Sequence, residues 1–391
     1  MATKILVDTD SIQTLTNKTL TAPAITSGVL TTSTVAANPT ADLGVASKQY
    51  VDDLGESNRL TNPVINGQMN IWQRGVSFTS ATTPANSDDT YLADRWILLS
   101  DGNDIVDVVR EGTTIPTSGL YAISLDIETV NKKFGILQVV EQRHCTGFLG
   151  STCTLSFKAK VSATTKLDNV KAALITWDGT ADTVTSDIIS AWGVEGTNPT
   201  LVANWTYENT PTNLSVTTSY ATYSVSAALD TASGKNIGLF IWSDVTDTTL
   251  GDFLFITDVQ LQTGSTVLQY PYRSFADELV LCQRYYAKTY PQSVVPGTAN
   301  TVGALAAVCN GTAAAAGLIQ WCLPATMRAT PTLTIYSVND GASGNFYRTV
   351  GAANVAGVAY QTGETAIGMY NNAVVSDLEF IAGHATAVAE L

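Results

Sequence analysis

Between Asn62 and Phe275 apolar and polar residues alternate in short runs, and this period of two constrains the chain more than any other feature of it. In one run Thr154, Ser156 and Lys158 interleave with Leu155, Phe157 and Ala159. An extended backbone turns the second set toward a core and the first toward water. Runs of the same kind occupy 105–109, 121–127, 170–177, 219–227, 236–242 and 253–261, with turn chemistry such as WDGTADT, GVEGTNPT and DTASGK between them. At least eight strands in about 215 residues suit two packed sheets of the jelly-roll type. Val64 to Phe78 reads as the first strand pair of that sandwich, with Gly67 at a bulge and Gly75 at a turn.

Before this region the pattern differs. Written in fives from Thr14 the chain reads TLTNK, TLTAP, AITSG, VLTTS, TVAAN, so Leu15, Leu20, Ile25, Leu30 and Val35 recur at one position of a five-residue period. Neither a helix nor a strand produces that period, whereas a coil of short extended segments and turns does. One aliphatic in five cannot enclose a core, so the row is expected to meet identical rows from other copies. The alternative for this segment is a threonine-rich arm without fixed structure. In ADLGVASKQYVDDLGES, Ala46, Tyr50 and Leu54 lie at helical spacing and Gly55 is a C-terminal stop. A helix of about nine residues is marginal alone, so Tyr50 and Leu54 also call for a partner. Residues 1–60 are therefore expected to form an attachment and oligomerisation segment. Residues 61–275 form the jelly roll, and 276–391 a smaller C-terminal β-sandwich in which Ile319, Trp321 and Leu323 alternate. The fold class expected is mostly β.

The chain carries 34 acidic and 20 basic residues, a net charge of −14. No cluster of Lys and Arg matches the demand of a phosphate backbone, which argues against nucleic acid as a partner. No apolar run approaches the ~20 residues needed to span a bilayer, and Met1 to Asp10 lacks a signal region, so a soluble protein made in the cytoplasm without membrane insertion is expected. Five cysteines at irregular spacing fit neither a disulfide framework nor a zinc site. No cofactor is expected; a structural calcium is compatible with the carboxylates, but no EF-hand spacing is present and no metal ligands are assigned.

Catalytic patterns are equally sparse. The two histidines are His144 and His384, and no nucleophile elbow, P-loop, dinucleotide fingerprint or HExxH motif occurs. His144 and Cys145 are adjacent, and on a strand adjacent residues point to opposite faces, so they are not expected to form a nucleophile pair. Asp88, Asp89, Asp244 and Asp247 fall in turn-like segments, where hydrogen bonding to local backbone accounts for them. A sugar site needs a flat exposed ring beside amide or carboxylate groups. Trp177 with Asp178 ends a strand at a turn, while Trp192, Trp205 and Tyr207 lie in a polar, turn-rich segment; these five are the glycan-binding candidates. Trp72, Trp96, Trp242 and Trp321 sit in alternating apolar runs and are expected in cores.

Several strings taken together resemble bacteriophage proteins. QTLTNKTLTAPAI and PTADLGVASKQYVDDL resemble the leader of phage tail-fibre proteins. NGQMNIWQRGVSF, YLADRW, DVQLQTG and ELVLCQRYY resemble, in that order, a phage minor tail or fibre domain of jelly-roll, carbohydrate-binding-module type. The resemblance implies a homotrimeric virion fibre, attached through its N-terminus to other tail or baseplate proteins and binding host-surface polysaccharide without catalysis. It also implies that Trp72, Arg74, Asp94, Arg95 and Trp96 hold the sandwich together. Where the family often has a tryptophan, this chain has Tyr220 and Tyr223 in TTSYATYSVSA. A tailspike-like glycan depolymerase and a non-binding collar or capsid decoration are the alternative functions.

Overall fold

The computed structural model describes residues 62–79, 84–117, 119–230 and 233–391, all within the unit Glu56–Leu391. The expectations for Leu15, Leu20, Ile25, Leu30, Val35, Tyr50 and Leu54 lie outside the described residues.

The described chain is mostly β. In order it runs β1 (Ser77–Phe78), β2 (Ile97–Ser100), β3 (Val106–Glu111), β4 (Ala122–Ile127), β5 (Phe134–Val140), a short helix α1 (Gln142–Cys145), β6 (Thr152–Val161) and β7 (Val170–Trp177). It continues with β8 (Ile189–Ala191), β9 (Thr200–Leu201), β10 (Trp205–Tyr207), β11 (Ala221–Ala228), β12 (Asn236–Ser243) and β13 (Phe253–Thr263). A six-stranded sheet of order β1-β3-β4-β13-β6-β11 faces a five-stranded sheet of order β10-β7-β12-β5-β2. One face of β6 does what its period implies, with Leu155, Phe157 and Ala159 entering the core between the sheets beside Leu174, Leu239, Ile241 and Ile256. On the other face Thr154 and Ser156 are buried too and not turned to water, Thr154 donating to the Gly264 carbonyl and Ser156 accepting from Gln260.

Val64 to Phe78 does not form a strand pair. Only Ser77–Phe78 is extended in a ladder; the rest is a buried coil fastened by side chains. Asn66, at φ 58°, accepts from the Ile71 N–H and donates to the carbonyls of Ile71 and Asp94. Gly67 lies against the bulge in β13 between Thr257 and Gln260, where a Cβ would stand 2.1 Å from the Val259 carbonyl oxygen. Only glycine permits that approach, and the Gly67 carbonyl uses it to accept from the Val259 N–H at 2.9 Å.

Helix α2 (Phe275–Gln283) leads out of the sandwich, and the boundary expected at 276 falls inside it. Ser274 caps its first turn by accepting from the Asp277 N–H, and acidic Asp277 and Glu278 suit that end of the helix. Its Cys282 packs with Ile65, Ile71 and Tyr285, so the helix is shared between sandwich and tip. Beyond it come β14 (Tyr286–Lys288), β15 (Leu305–Val308), β16 (Leu318–Cys322), β17 (Thr332–Ser337), β18 (Asn345–Arg348), β19 (Ala353–Tyr360), β20 (Ala366–Asn371) and β21 (Phe380–Val388). β21 is the axis of this domain, with β14 and β15 along one edge and β17 and β18 along the other. The sheet encloses its own core of Ile319, Trp321, Met327, Ile335, Phe346, Ile367 and Met369.

Residues of the NGQMNIWQRGVSF, YLADRW and ELVLCQRYY strings meet at the joint between the two β domains. Arg74 donates to Glu390 at 2.8 Å, and Arg95 pairs with the other oxygen of the same carboxylate. The Arg74 and Arg95 guanidiniums stack 3.8 Å from the ring centroids of Tyr286 and Tyr285. Gln73 bridges Asp94 at 2.6 Å and the Tyr286 carbonyl at 2.7 Å, while Arg284 and the Tyr285 hydroxyl bind Glu141 at 2.7 and 2.8 Å. Trp72 and Trp96 enter the sandwich core as expected. Arg95 also donates to the Val139 carbonyl of β5 at 2.7 Å and Arg74 lies over the Tyr91 ring, so both hold the sandwich as expected and reach on from it to the tip domain.

One repulsion is built into the outer face of the six-stranded sheet. Asp126 on β4 stands directly opposite Asp107 on β3. Burial, with Glu128, Asp107 and Asp252 nearby, pushes its carboxyl up to about 6. The folded value exceeds the unfolded one of ~3.9, so this group's stabilisation is complete below that pH and is lost as pH rises through 6. Asp126→Asn is therefore expected to melt above the parent protein at pH 7.5 and together with it near pH 3.5. Equal melting temperatures at the higher pH would show that the facing carboxylates do not repel.

Candidate glycan-binding surface

The tryptophans proposed from sequence do come together, but as packing. Trp177, Trp192 and Trp205 form an apolar layer with Phe240, Trp242, Ile175 and Val139 on the outer face of the five-stranded sheet. The Trp177 and Trp205 rings are 5.6 Å apart, and Phe240 stacks on Trp242 at 4.5 Å and 10°. Segment 178–210, with the β8–β9 pair, closes over them, and even Trp192, the most exposed of the three, is only 9% exposed. The flat exposed ring assumed for Trp177, Trp192 and Trp205 is absent because their own segment folds back across the sheet. Tyr207 is half-buried against Trp242, its hydroxyl donating to the Pro199 carbonyl at 2.8 Å. Asp178 stays exposed at its turn, where its N–H donates to the Asn204 carbonyl.

A buried ion cluster fastens this cover. Lys133, whose side chain is 1% exposed, donates to Asp244 at 2.5 Å and to the carbonyls of Trp192, Val194 and Thr197. Lys171 takes the other Asp244 oxygen at 2.7 Å and binds Asn198, and the Gly196 N–H also donates to Asp244. Asp244 is thus a buried hub and not the solvated turn residue expected from sequence. Asp247, in contrast, pairs with Lys166 at the surface.

His144 and Cys145 lie on helix α1, not on a strand. Burial pushes the Cys145 thiol up to about 12, and its Sγ lies against the carbonyls of Val140 and Glu141. A thiol held protonated is a poor nucleophile. Among the described residues no group of three or more His, Cys, Asp or Glu side chains is placed to hold a metal ion. No helix among them is long and apolar enough to cross a membrane.

An exposed ring beside polar groups does occur, on the outer face of the other sheet. After β13 the segment LQYPYRS folds over the strand ends, where Gln260 holds the Leu268 carbonyl at 2.9 Å and Gln262 accepts from the Leu268 N–H at 2.9 Å. Tyr270 and Tyr272, on either side of Pro271, meet edge to face at 5.4 Å, and Tyr272 remains 51% exposed. They border a cleft of about 260 Å³ lined also by Lys158, Thr222, Asp258, Gln260 and Gln269. Lys158 and Asp258 pair at 2.8 Å across its floor, and Gln68 steadies Asp258 at 3.0 Å. Asp258 sits at the β13 bulge with φ 51°, which re-aims its carboxylate. The arrangement offers one aromatic face for sugar C–H groups and ammonium, carboxylate and amide groups for hydroxyls. The sequence signal for it was the YPY triplet, in which proline holds the preceding tyrosine extended.

No family model and no curated protein matches this chain. Solved neighbours exist. They include the enzymatically active domain of tailspike protein 4 from bacteriophage CBA120, at 16% identity and a TM-score of 0.32, covering 52% of this chain and 21% of that one. The xylan-binding CBM22-1 domain from Paenibacillus barcinonensis matches at 12% identity and a TM-score of 0.28, covering 46% of this chain and 94% of that one. The CBM22-1 and GH10 modules of a Clostridium thermocellum endo-1,4-β-D-xylanase match at 14% and 0.29, covering 51% and 30%. The activities and ligands in those descriptions belong to those proteins.

Proposed function

We propose that this chain is a noncatalytic virion fibre protein that binds host-surface glycan through its sandwich, as a homotrimer anchored to a phage tail by residues 1–60. The observation that carries the binding role is the half-exposed Tyr272 ring above the Lys158–Asp258 pair and its amide neighbours. The fibre role rests on the resemblance of the leader and of the four ordered motifs to tail-fibre proteins.

Tyr272→Ala removes a half-exposed ring that belongs to none of the buried clusters, so folding should persist while affinity for purified host polysaccharide falls about tenfold, the loss of ~1.4 kcal/mol. Calorimetric titration of parent and variant measures it. Undiminished binding would exclude this cleft, absence of any binding would favour a collar or capsid decoration, and release of reducing ends would favour a depolymerase. Antibody-labelled particles in electron micrographs test the tail location.

A further inference from the structure

A second cleft, of about 450 Å³, opens beside α1 and shares no lining residue with the Tyr272 cleft. It is lined by Arg143, His144, Thr146, Arg273 and Asn62 among others, and no carboxylate is among its lining residues. In a chain of net charge −14 such a wall is unusual. The nearest acids are already engaged. Glu141 lies underneath, held by Arg284 and Tyr285, and Glu278 accepts from the Asn66 N–H and pairs with Arg273. With Asp182, which accepts from the Gln142 N–H and the Asn236 amide, three carboxylates balance three guanidiniums (Arg143, Arg273, Arg284), and a protonated His144 is the added positive charge. Arg143 is 62% exposed, and its single acidic neighbour is Glu141 at 3.6 Å, which leaves most of its planar fork open to a ligand.

We propose that this cleft binds an anionic substituent, a carboxylate or a phosphate, with Arg143 as the primary ligand-contacting residue and His144 as an added cation at acid pH. The site is separate from the Tyr272 cleft and does not depend on the glycan reading above. A guanidinium fork matches the two oxygens of either anion, and a partly desolvated wall strengthens the contact. His144 faces Glu141, Arg143, Arg284 and Asp182; burial leads the causes that hold its pKa below the ordinary value, so the ring is neutral at pH 7. An anion binds the protonated ring more tightly. By linkage, affinity for an anion of fixed charge must rise as pH falls through the lowered His144 pKa.

The test uses the full chain with two probes, tri-galacturonate and inorganic phosphate, titrated calorimetrically at pH 7.5 and 5.5. At least one probe is expected to bind, tri-galacturonate more tightly at pH 5.5, with Arg143→Ala weakening binding tenfold or more. Preference for tri-galacturonate would identify an acidic sugar, and preference for phosphate a phosphorylated one. His144→Gln should abolish the gain at pH 5.5 and leave binding at pH 7.5, while Tyr272→Ala should leave both intact. Failure of both probes at millimolar concentration, or unchanged affinity in Arg143→Ala, overturns the proposal. So does a gain in tri-galacturonate affinity at pH 5.5 that survives in His144→Gln; inorganic phosphate, which takes up a proton of its own between the two pH values, is compared between variants at pH 7.5 only.

Discussion

Glu390→Ala is expected to destabilise the docking of the tip domain by about 3–5 kcal/mol, because it strands two buried guanidiniums that share one carboxylate. Burial opposes the charge on Arg95, and in the intact protein Glu390 more than offsets it, holding the pKa above its usual value. The ring stacking on Tyr285 and Tyr286 would remain but cannot replace the counter-charge. Denaturant unfolding followed by tyrosine and tryptophan fluorescence should then resolve into two steps, with the tip separating first. Glu390→Gln, which keeps an acceptor oxygen, should lose less. A variant that unfolds in one step within 1 kcal/mol of the parent would mean that the joint is held by apolar contacts alone.

Asp244→Ala carries an expected cost of the same size, about 3–5 kcal/mol, for the same reason: Lys133 and Lys171 lose their common partner inside the protein. Its effect is local in a way that can be seen. Lys133 holds the carbonyls of Trp192, Val194 and Thr197 only while Asp244 fixes it, so the cover over the aromatic layer loosens. Tryptophan emission should shift to the red and acrylamide quenching should rise. A destabilised variant with unaltered emission would separate the ion cluster from the cover.

Period-two strands such as β6 and β7 were legible in the sequence because one face is apolar and the other is not, or because an apolar run ends cleanly at a turn. β2 and β5 were not, since every residue of ILLS and FGILQVV is buried and no alternation survives when both faces are covered. Their burial and the misreading of the tryptophans have one origin. The segment from Trp192 to Tyr207 looks like exposed turns by composition, and nothing local reveals that it folds back over β7 and β12. Composition points to exposed rings at Trp177, Trp192 and Trp205, whereas the three are buried in one layer. The coil from Asn62 to Val76 was mistaken for strands because its aliphatics alternate, whereas Asn66 and Gly67 direct its backbone elsewhere. Tyr272 was overlooked because its cleft is assembled from β6, β11 and β13 as well as its own segment.

The joint also dictates an order of events at the ribosome. Arg74 and Glu390 are 316 positions apart, so the sandwich is made long before the carboxylate that neutralises its two guanidiniums. The sandwich closes only with β13, which ends at Thr263, so at ordinary elongation rates the gap between its completion and Glu390 lasts roughly 6–25 seconds. A nascent chain halted anywhere in that interval would display a finished sandwich with an open cationic seam, and polyanions in the cell would compete for it until translation supplied residue 390.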